Sequence, residues 1–182
     1  MKLYTLPDAQ QDFFAEVHSW AISNHNATGC SYSGYPYSLH LDAVVNVGKQ
    51  YLHLIAENNR IDVMCALSCH DLIEDARVSY RDIKDMCGDL CANIVYNVTN
   101  ELGRNRKERA EKTYPKIASC HFSTFVKLCD RIANMKFSYF MNDEKGMFLK
   151  YKEEHSAFFK ALHNPEHPFE DMWKELQSLG LH

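Results

Sequence analysis

In the run Cys69-His70-Asp71-Leu72-Ile73-Glu74-Asp75, one imidazole and three carboxylates interrupt an otherwise apolar segment. Ionisable groups at that density beside a core carry a steep desolvation cost unless a cation or a hydrogen-bond network compensates them. A metal site is therefore the leading chemical expectation. If the run is helical, as the preceding Ile61, Val63, Met64, Ala66 and Leu67 suggest, His70 and Glu74 share one face, and so do Asp71 and Asp75. A second polar set lies within residues 125–135, where Lys127, Asp130, Arg131 and Asn134 follow i, i+3, i+4, i+7 on an otherwise apolar helix. Such a narrow stripe suits an internal site; the plainer alternative is a solvated face with an Asp130–Lys127 or Asp130–Asn134 pair.

The elements that must position these residues read as helices. The chain has only seven glycines and five prolines, and its apolar residues recur mostly at helical spacing rather than alternating. The pattern predicts a first helix after Pro7, capped by Asp8 and reaching about Asn26. A loop rich in glycine, serine and tyrosine follows at residues 29–37. Ser38 is the expected cap of a second helix that carries His40 and ends near Asn58-Asn59, and a third helix then runs into the acidic stretch. Ser79 and Asp82 open a short helix as a capping box with Asp in place of Glu, and Gly88 closes it. Residues 90–98 are ambiguous by pattern and helical by company. A charged segment covers residues 104–116. Further helices are expected from about Phe122 to Phe140, from about Asp143 to Leu162 and from about Pro168 to Leu179, the last two parted by Asn164-Pro165-Glu166-His167-Pro168. The fold class expected is all-α, with residues 1–182 as one domain.

Length and composition set the outer limits. A chain of 182 residues can bury a full core without covalent staples, and 46% apolar with 24% charged residues is the balance of a soluble globular protein. No uninterrupted apolar run is long enough for a membrane span, and the N-terminus lacks the apolar segment and small-residue cleavage site of a secretory signal. A cytoplasmic location is expected. The seven cysteines are an odd number for a secreted disulfide framework, and no CxxC pair with zinc-like spacing occurs; most read as small core residues or idle thiols. A net charge of −4 argues against nucleic acid as a partner and leaves room for a local basic pocket.

Taken together, Gly34-Tyr35-Pro36-Tyr37-Ser38-Leu39-His40, His70-Asp71-Leu72-Ile73-Glu74-Asp75, Asn97-Val98-Thr99 and Lys127-Leu128-Cys129-Asp130-Arg131-Ile132-Ala133-Asn134 resemble, in order and spacing, the HD-domain hydrolases of the RelA/SpoT type over roughly residues 25 to 160. The resemblance implies an HD helical bundle and a metal-dependent phosphohydrolase that removes the 3′-pyrophosphate of guanosine 3′,5′-bispyrophosphate. It implies that His40, His70, Asp71 and Asp130 ligate one divalent cation, manganese or another first-row metal. It implies that Glu74 and Asp75 position or deprotonate the attacking water. Asn134, Thr99 and Tyr151 match positions near the nucleoside. Arg131 belongs to the same polar stripe. A highly anionic nucleotide needs cations, and Arg104, Arg106, Lys107, Arg109 and Lys112 supply them, with Arg106, Lys107 and Lys112 the chosen phosphate contacts. The alternative for each is a solvated helix face with pairs such as Glu108–Lys112.

The chain departs from the family pattern in two places. Ser31 stands where members carry a basic residue flanking the guanine, with Tyr32 beside it as a possible stacking ring. Leu41 follows His40 where members have proline. The Ser31 departure keeps hydrolysis of another nucleotide or phosphorylated small molecule in play; a non-catalytic nucleotide-binding regulator is a second alternative, against which the intact His40, His70, Asp71, Glu74, Asp75 and Asp130 argue. His18, His25, His53, His121, His155, His163, His167 and His182 lie outside the ligand pattern, and His25 is closest to the aromatic loop.

Overall fold

The computed structural model describes residues 3–141 and 146–180; Met1, Lys2, His182 and the expected helix start at Asp143 lie outside the described residues. The elements run in the order α1 (Asp8–Ala27), β1 (Ser31–Tyr32), β2 (Tyr35–Pro36), α2 (Ser38–Tyr51), α3 (Arg60–Cys69), α4 (Leu72–Asp75), α5 (Tyr80–Cys87), α6 (Asp89–Val98), α7 (Arg106–Ala118), α8 (His121–Phe140), α9 (Met147–Leu162) and α10 (Glu170–Ser178). The fold is an all-α HD-type bundle whose axis is α8. Its buried face includes Phe125, Val126, Leu128, Ile132 and Met135, and it packs against α2, α3, α6, α7, α9 and α10. The buried apolar residues form one continuous cluster. No described helix is long and apolar enough to cross a membrane.

Several boundaries differ from those the pattern predicts. Asp8 is the first residue of α1 rather than its cap; its carboxylate accepts from Gln11 Nε2 at 3.0 Å, and Pro7 occupies the cap position. Ser38 likewise lies inside α2, which is entered from Tyr37 without a side-chain cap. The second helix stops at Tyr51, and the chain reaches α3 through two 3₁₀ turns, Leu52–Leu54 and Glu57–Asn59. The capping box at Ser79 and Asp82 forms as expected, residues 90–98 lie in α6, and the charged segment coils as α7 behind an Asn105 cap that accepts from Glu108 N at 2.9 Å.

Two local devices position the site. The aromatic loop is a miniature hairpin, with Ser31 paired to Pro36 and Tyr32 to Tyr35. Its turn residues Ser33 and Gly34 both have positive φ, 51° and 84°, the backbone of the mirror-image turn that matches strand twist. The second device is Gly48 on α2. A Cβ there would stand 2.2 Å from Leu67 Cδ1, so a larger residue would force the buried Leu67 side chain to another rotamer where α2 meets α3.

Candidate functional site

The acidic stretch is not one continuous helix. α3 ends at Cys69, His70 and Asp71 form a turn, and Leu72–Asp75 make one further turn of helix in which Asp75 N donates to Asp71 O at 2.8 Å. The break has a chemical consequence. Adjacent residues of a regular helix diverge by about 100°, yet His70 Nε2 and Asp71 Oδ2 lie 3.0 Å apart and approach the same point.

His40 from α2 and Asp130 from α8 complete the group. His40 Nε2 is 3.2 Å from His70 Nε2, 3.5 Å from Asp71 Oδ2 and 3.5 Å from Asp130 Oδ1, and His70 Nε2 is 3.8 Å from Asp130 Oδ1. Ligands at about 2.1 Å from a six-coordinate first-row cation sit about 3 Å from their neighbours, so these spacings fit one shared ion. The tautomer fits as well: His70 Nδ1 lies 2.9 Å from the Leu67 carbonyl, which takes its proton and leaves the Nε2 lone pair toward the centre. Ligation requires the lone pairs of both imidazoles, and beside them the two carboxylates carry negative charge that a divalent cation would balance. Burial opposes a charge on His70, but the Asp71 and Asp130 carboxylates overrule it and push the imidazole up to about 9. Burial also penalises the Asp130 carboxylate, yet Lys127 and the imidazoles hold it below the ordinary range.

Around this group the polar stripe of α8 faces inward, as its spacing predicts. Lys127 Nζ donates to Asp130 Oδ2 at 2.8 Å, leaving Oδ1 toward the imidazoles, and Asn134 Nδ2 donates to the same carboxylate. Tyr32 donates to Asn134 Oδ1 at 2.8 Å and stacks on the His40 ring at 4.7 Å, so the hairpin braces His40 by packing and Asp130 indirectly, through Asn134. Tyr37, quoted in the motif without a role, donates to Asp71 Oδ2 at 2.5 Å and Asp75 Oδ2 at 3.2 Å and thereby sets the spacing of those two carboxylates. Burial, with Asp71 and Glu74 close by, raises the Asp75 carboxyl above its usual range.

Glu74 stands across the cleft, its carboxylate held by Asn100 through Nδ2 at 3.0 Å and the backbone N at 3.2 Å. The sequence reading assigned nothing to Asn100. The expected neighbour Thr99 turns its hydroxyl back to the Val95 carbonyl at 2.8 Å and does not line the cleft. Asn100 follows Thr99 in an extended segment, where side chains alternate, so the residue beyond the helix end takes the cleft-facing place.

The basic segment divides by helical phase. Arg106 and Arg109 of α7 line the cleft with Ala110 and Tyr114, whereas Lys107 and Lys112 do not. Lys107 is exposed and 3.9 Å from Glu111; Lys112 pairs with Glu108 at 2.9 Å and donates to the Leu102 carbonyl. Buried Thr113 and Ile117 mark the inner face of α7 and were the available signal. Arg106 pairs with Glu154, which also receives Arg131 Nη1 at 3.4 Å. Arg131 is buried between the Tyr151 and Phe158 rings, its guanidinium carbon 4.4 and 4.5 Å from their centroids. It therefore braces Tyr151, whose ring reaches the cleft, while Glu154 is a cleft residue that the sequence reading left without a role. Arg109 makes no ion pair among the described residues. His25 is buried and stacked on Tyr37 at 4.1 Å, and burial lowers it to about 4, a neutral packing partner for the ring that organises Asp71.

Fold and cleft thus define an all-α bundle that gathers two imidazoles and two carboxylates from three helical segments into a half-open pocket. No family model matches the chain. A segment of 104 residues, 57% of this chain and 56% of that protein, is 27% identical to the guanosine-3′,5′-bis(diphosphate) 3′-pyrophosphohydrolase MESH1 of Danio rerio. The matched segment spans little more than half the length of that curated relative. The whole fold is similar to the solved structure of a metazoan ortholog of SpoT that hydrolyzes ppGpp, with a TM-score of 0.72 and 19% identity over 98% of this chain and 99% of that one.

Proposed function

We propose that this chain, as one HD hydrolase domain spanning residues 1–182, is a metal-dependent phosphohydrolase that removes the 3′-pyrophosphate from guanosine 3′,5′-bispyrophosphate, yielding GDP or GTP and pyrophosphate. The observation that carries the reading is the gathering of His40, His70 and Asp71 within 4.8 Å of one another, with Asp130 Oδ1 3.5 and 3.8 Å from the two imidazoles, at the floor of a cleft whose wall holds Arg106 and Arg109. These four residues would hold the cation, manganese in this reading, which when bound supplies Lewis acidity toward water and a phosphoryl oxygen.

The chain's own groups account for the remaining steps. Glu74, fixed by Asn100 and aimed across the cleft, accepts the proton of the attacking water. Asp75, tied through Tyr37 to Asp71, orients that water and keeps the Asp71 carboxylate from swinging away. Arg109 meets the leaving pyrophosphate, and Arg106 joins it when its bond to Glu154 is exchanged for phosphate. Tyr151 and Tyr32 bracket the nucleoside, and Asn134 reads a ribose or base edge beside them. Seven free cysteines among the described residues suit a reducing compartment, and the reading places the enzyme in the cytoplasm.

Incubation of the purified protein with manganese and the bispyrophosphate is expected to release pyrophosphate stoichiometrically with GDP. Release from other nucleotides but none from the bispyrophosphate would overturn the substrate and leave the chemistry. Binding without release of any product would favour a regulator. The absence of a basic side chain at Ser31 is the specific observation behind the wider-substrate alternative, and a nucleotide panel decides it.

A further inference from the structure

The cysteines that look scattered in sequence meet in space. Cys65 and Cys69 lie one turn apart on α3, Cys87 ends α5, and Cys91 lies in the first turn of α6. The sulfur atoms of Cys69, Cys87 and Cys91 are all within 4.8 Å of one another, and Cys65 stands one turn before Cys69 on the same helix. All four side chains are buried and none is in a disulfide. The juxtaposition depends on Gly88, whose φ of 87° ends α5 and starts α6 within a single residue, so that the cysteines on its two sides turn toward α3.

Small apolar packing does not by itself require thiols to cluster, because alanine or valine fills such space without a polarisable, ionisable sulfur. A four-thiolate tetrahedron with metal–sulfur bonds of about 2.3 Å has sulfurs about 3.8 Å apart, a contraction of about an ångström or less for Cys69, Cys87 and Cys91, and Cys65, one turn away on α3, would close the set by a change of rotamer. The site also has a partial counter-charge. Cys91 lies in the first turn of α6, the end of the helix that carries partial positive charge, and no side chain caps that end. Among the described residues, no imidazole or carboxylate belongs to the group of three mutually close sulfurs, which selects a soft thiophilic cation over those suited to the cleft.

We propose that Cys65, Cys69, Cys87 and Cys91 form a closed structural zinc site that clamps α5 and α6 onto α3, each ligating thiol releasing its proton to solvent on binding. Cys69 precedes His70 directly, so the clamp anchors the end of α3 from which the cleft residues depart. This inference goes beyond the proposed hydrolysis and does not depend on it.

The decisive probe is cobalt loaded into the wild-type full-length chain. The cleft residues supply only nitrogen and oxygen, so a sulfur-to-cobalt charge-transfer band reports the cysteine site alone. The band is expected, together with about one zinc per chain by elemental analysis in an Asp71→Ala/Asp130→Ala variant purified without chelator. Adding Cys69→Ser and Cys91→Ser is expected to remove both signals. Cobalt-loaded wild type without the band would overturn the proposal. So would recovery of the four cysteines as disulfides, seen as a loss of paired hydrogens in the intact mass under non-reducing conditions. Neither measurement involves hydrolysis, so failure here and failure of the proposed activity are distinguishable.

Discussion

Cys69 and His70 are neighbours in the chain and belong to two different ligand clusters. On one side of the break after α3 lies the cleft group, made of nitrogen and oxygen donors and open toward Glu74, Arg106 and Arg109. On the other lies the thiol group, buried and closed, sharing no residue with the first. A centre that must admit water and a phosphate needs vacant coordination positions and hard donors, whereas a centre that only holds helices together is best closed and soft. The contrast explains why so much hydrogen bonding surrounds the cleft ligands, each tied by Leu67, Tyr37, Lys127 or Tyr32. His70 and Asp130 are buried as well as hydrogen-bonded, and each of their polar atoms not turned to the cleft needs a partner.

The sharpest way to break this contrast is to empty the cleft alone. Asp71→Ala is expected to lower pyrophosphate release by roughly 10³-fold or more, since it removes a ligand shared by the water-activating centre. The cobalt–thiolate band and the circular dichroism are expected to stay unchanged. Glu74→Gln keeps the shape and removes the base, with an expected fall in kcat of about 10²–10⁴-fold at nearly unchanged KM and metal content. If Glu74→Gln instead emptied the centre, Glu74 would be a ligand and the division of the acidic stretch would fail.

Protons test the cleft in another way. The His70 imidazole, raised to about 9 in the metal-free protein, must lose its proton to ligate. Metal affinity is therefore expected to rise with pH, by up to about tenfold per unit, and to level off above about 9, as competition titrations with a coloured chelator would show. A flat profile from neutral pH upward would mean that His70 is already neutral and that its carboxylate neighbours are weaker than the geometry implies.

Arg109→Ala is expected to raise KM about tenfold with kcat within a factor of two, while Lys107→Ala, on the outer face of α7, changes neither measurably. Equal effects would return both residues to the same surface. The smallest expected effect falls on the thiol side. Ser79→Ala removes the capping box of α5, the helix that delivers Cys87, and is expected to cost about 1 kcal/mol in denaturant unfolding while leaving kcat unchanged.

The parts of this protein that were legible in the sequence share a short range. The capping box spans four residues and the α8 stripe eight, and within such windows helical phase decides which side chains meet; the acidic stretch was legible as a set of donors but not as a geometry, because the helix breaks inside it. The same rule applied to α7 from its buried Thr113 and Ile117 would have chosen Arg109 over Lys107, but which face is inner is settled only by packing against α8 and α9. Tyr37 and Asn100 went unassigned because a tyrosine and an asparagine without periodic partners carry no signal until the carboxylates they hold are seen beside them.

By itself, then, the sequence determined the helical class, the donor types and their register on each helix, because these follow from local backbone preference and side-chain chemistry. Only the tertiary structure decided how α3 breaks so that His70 and Asp71 converge, which cations face the cleft, and that cysteines on three helices gather around one point. Those outcomes rest on contacts between residues far apart in the chain, such as Gly48 against Leu67, whose fit depends on the packing of the whole bundle.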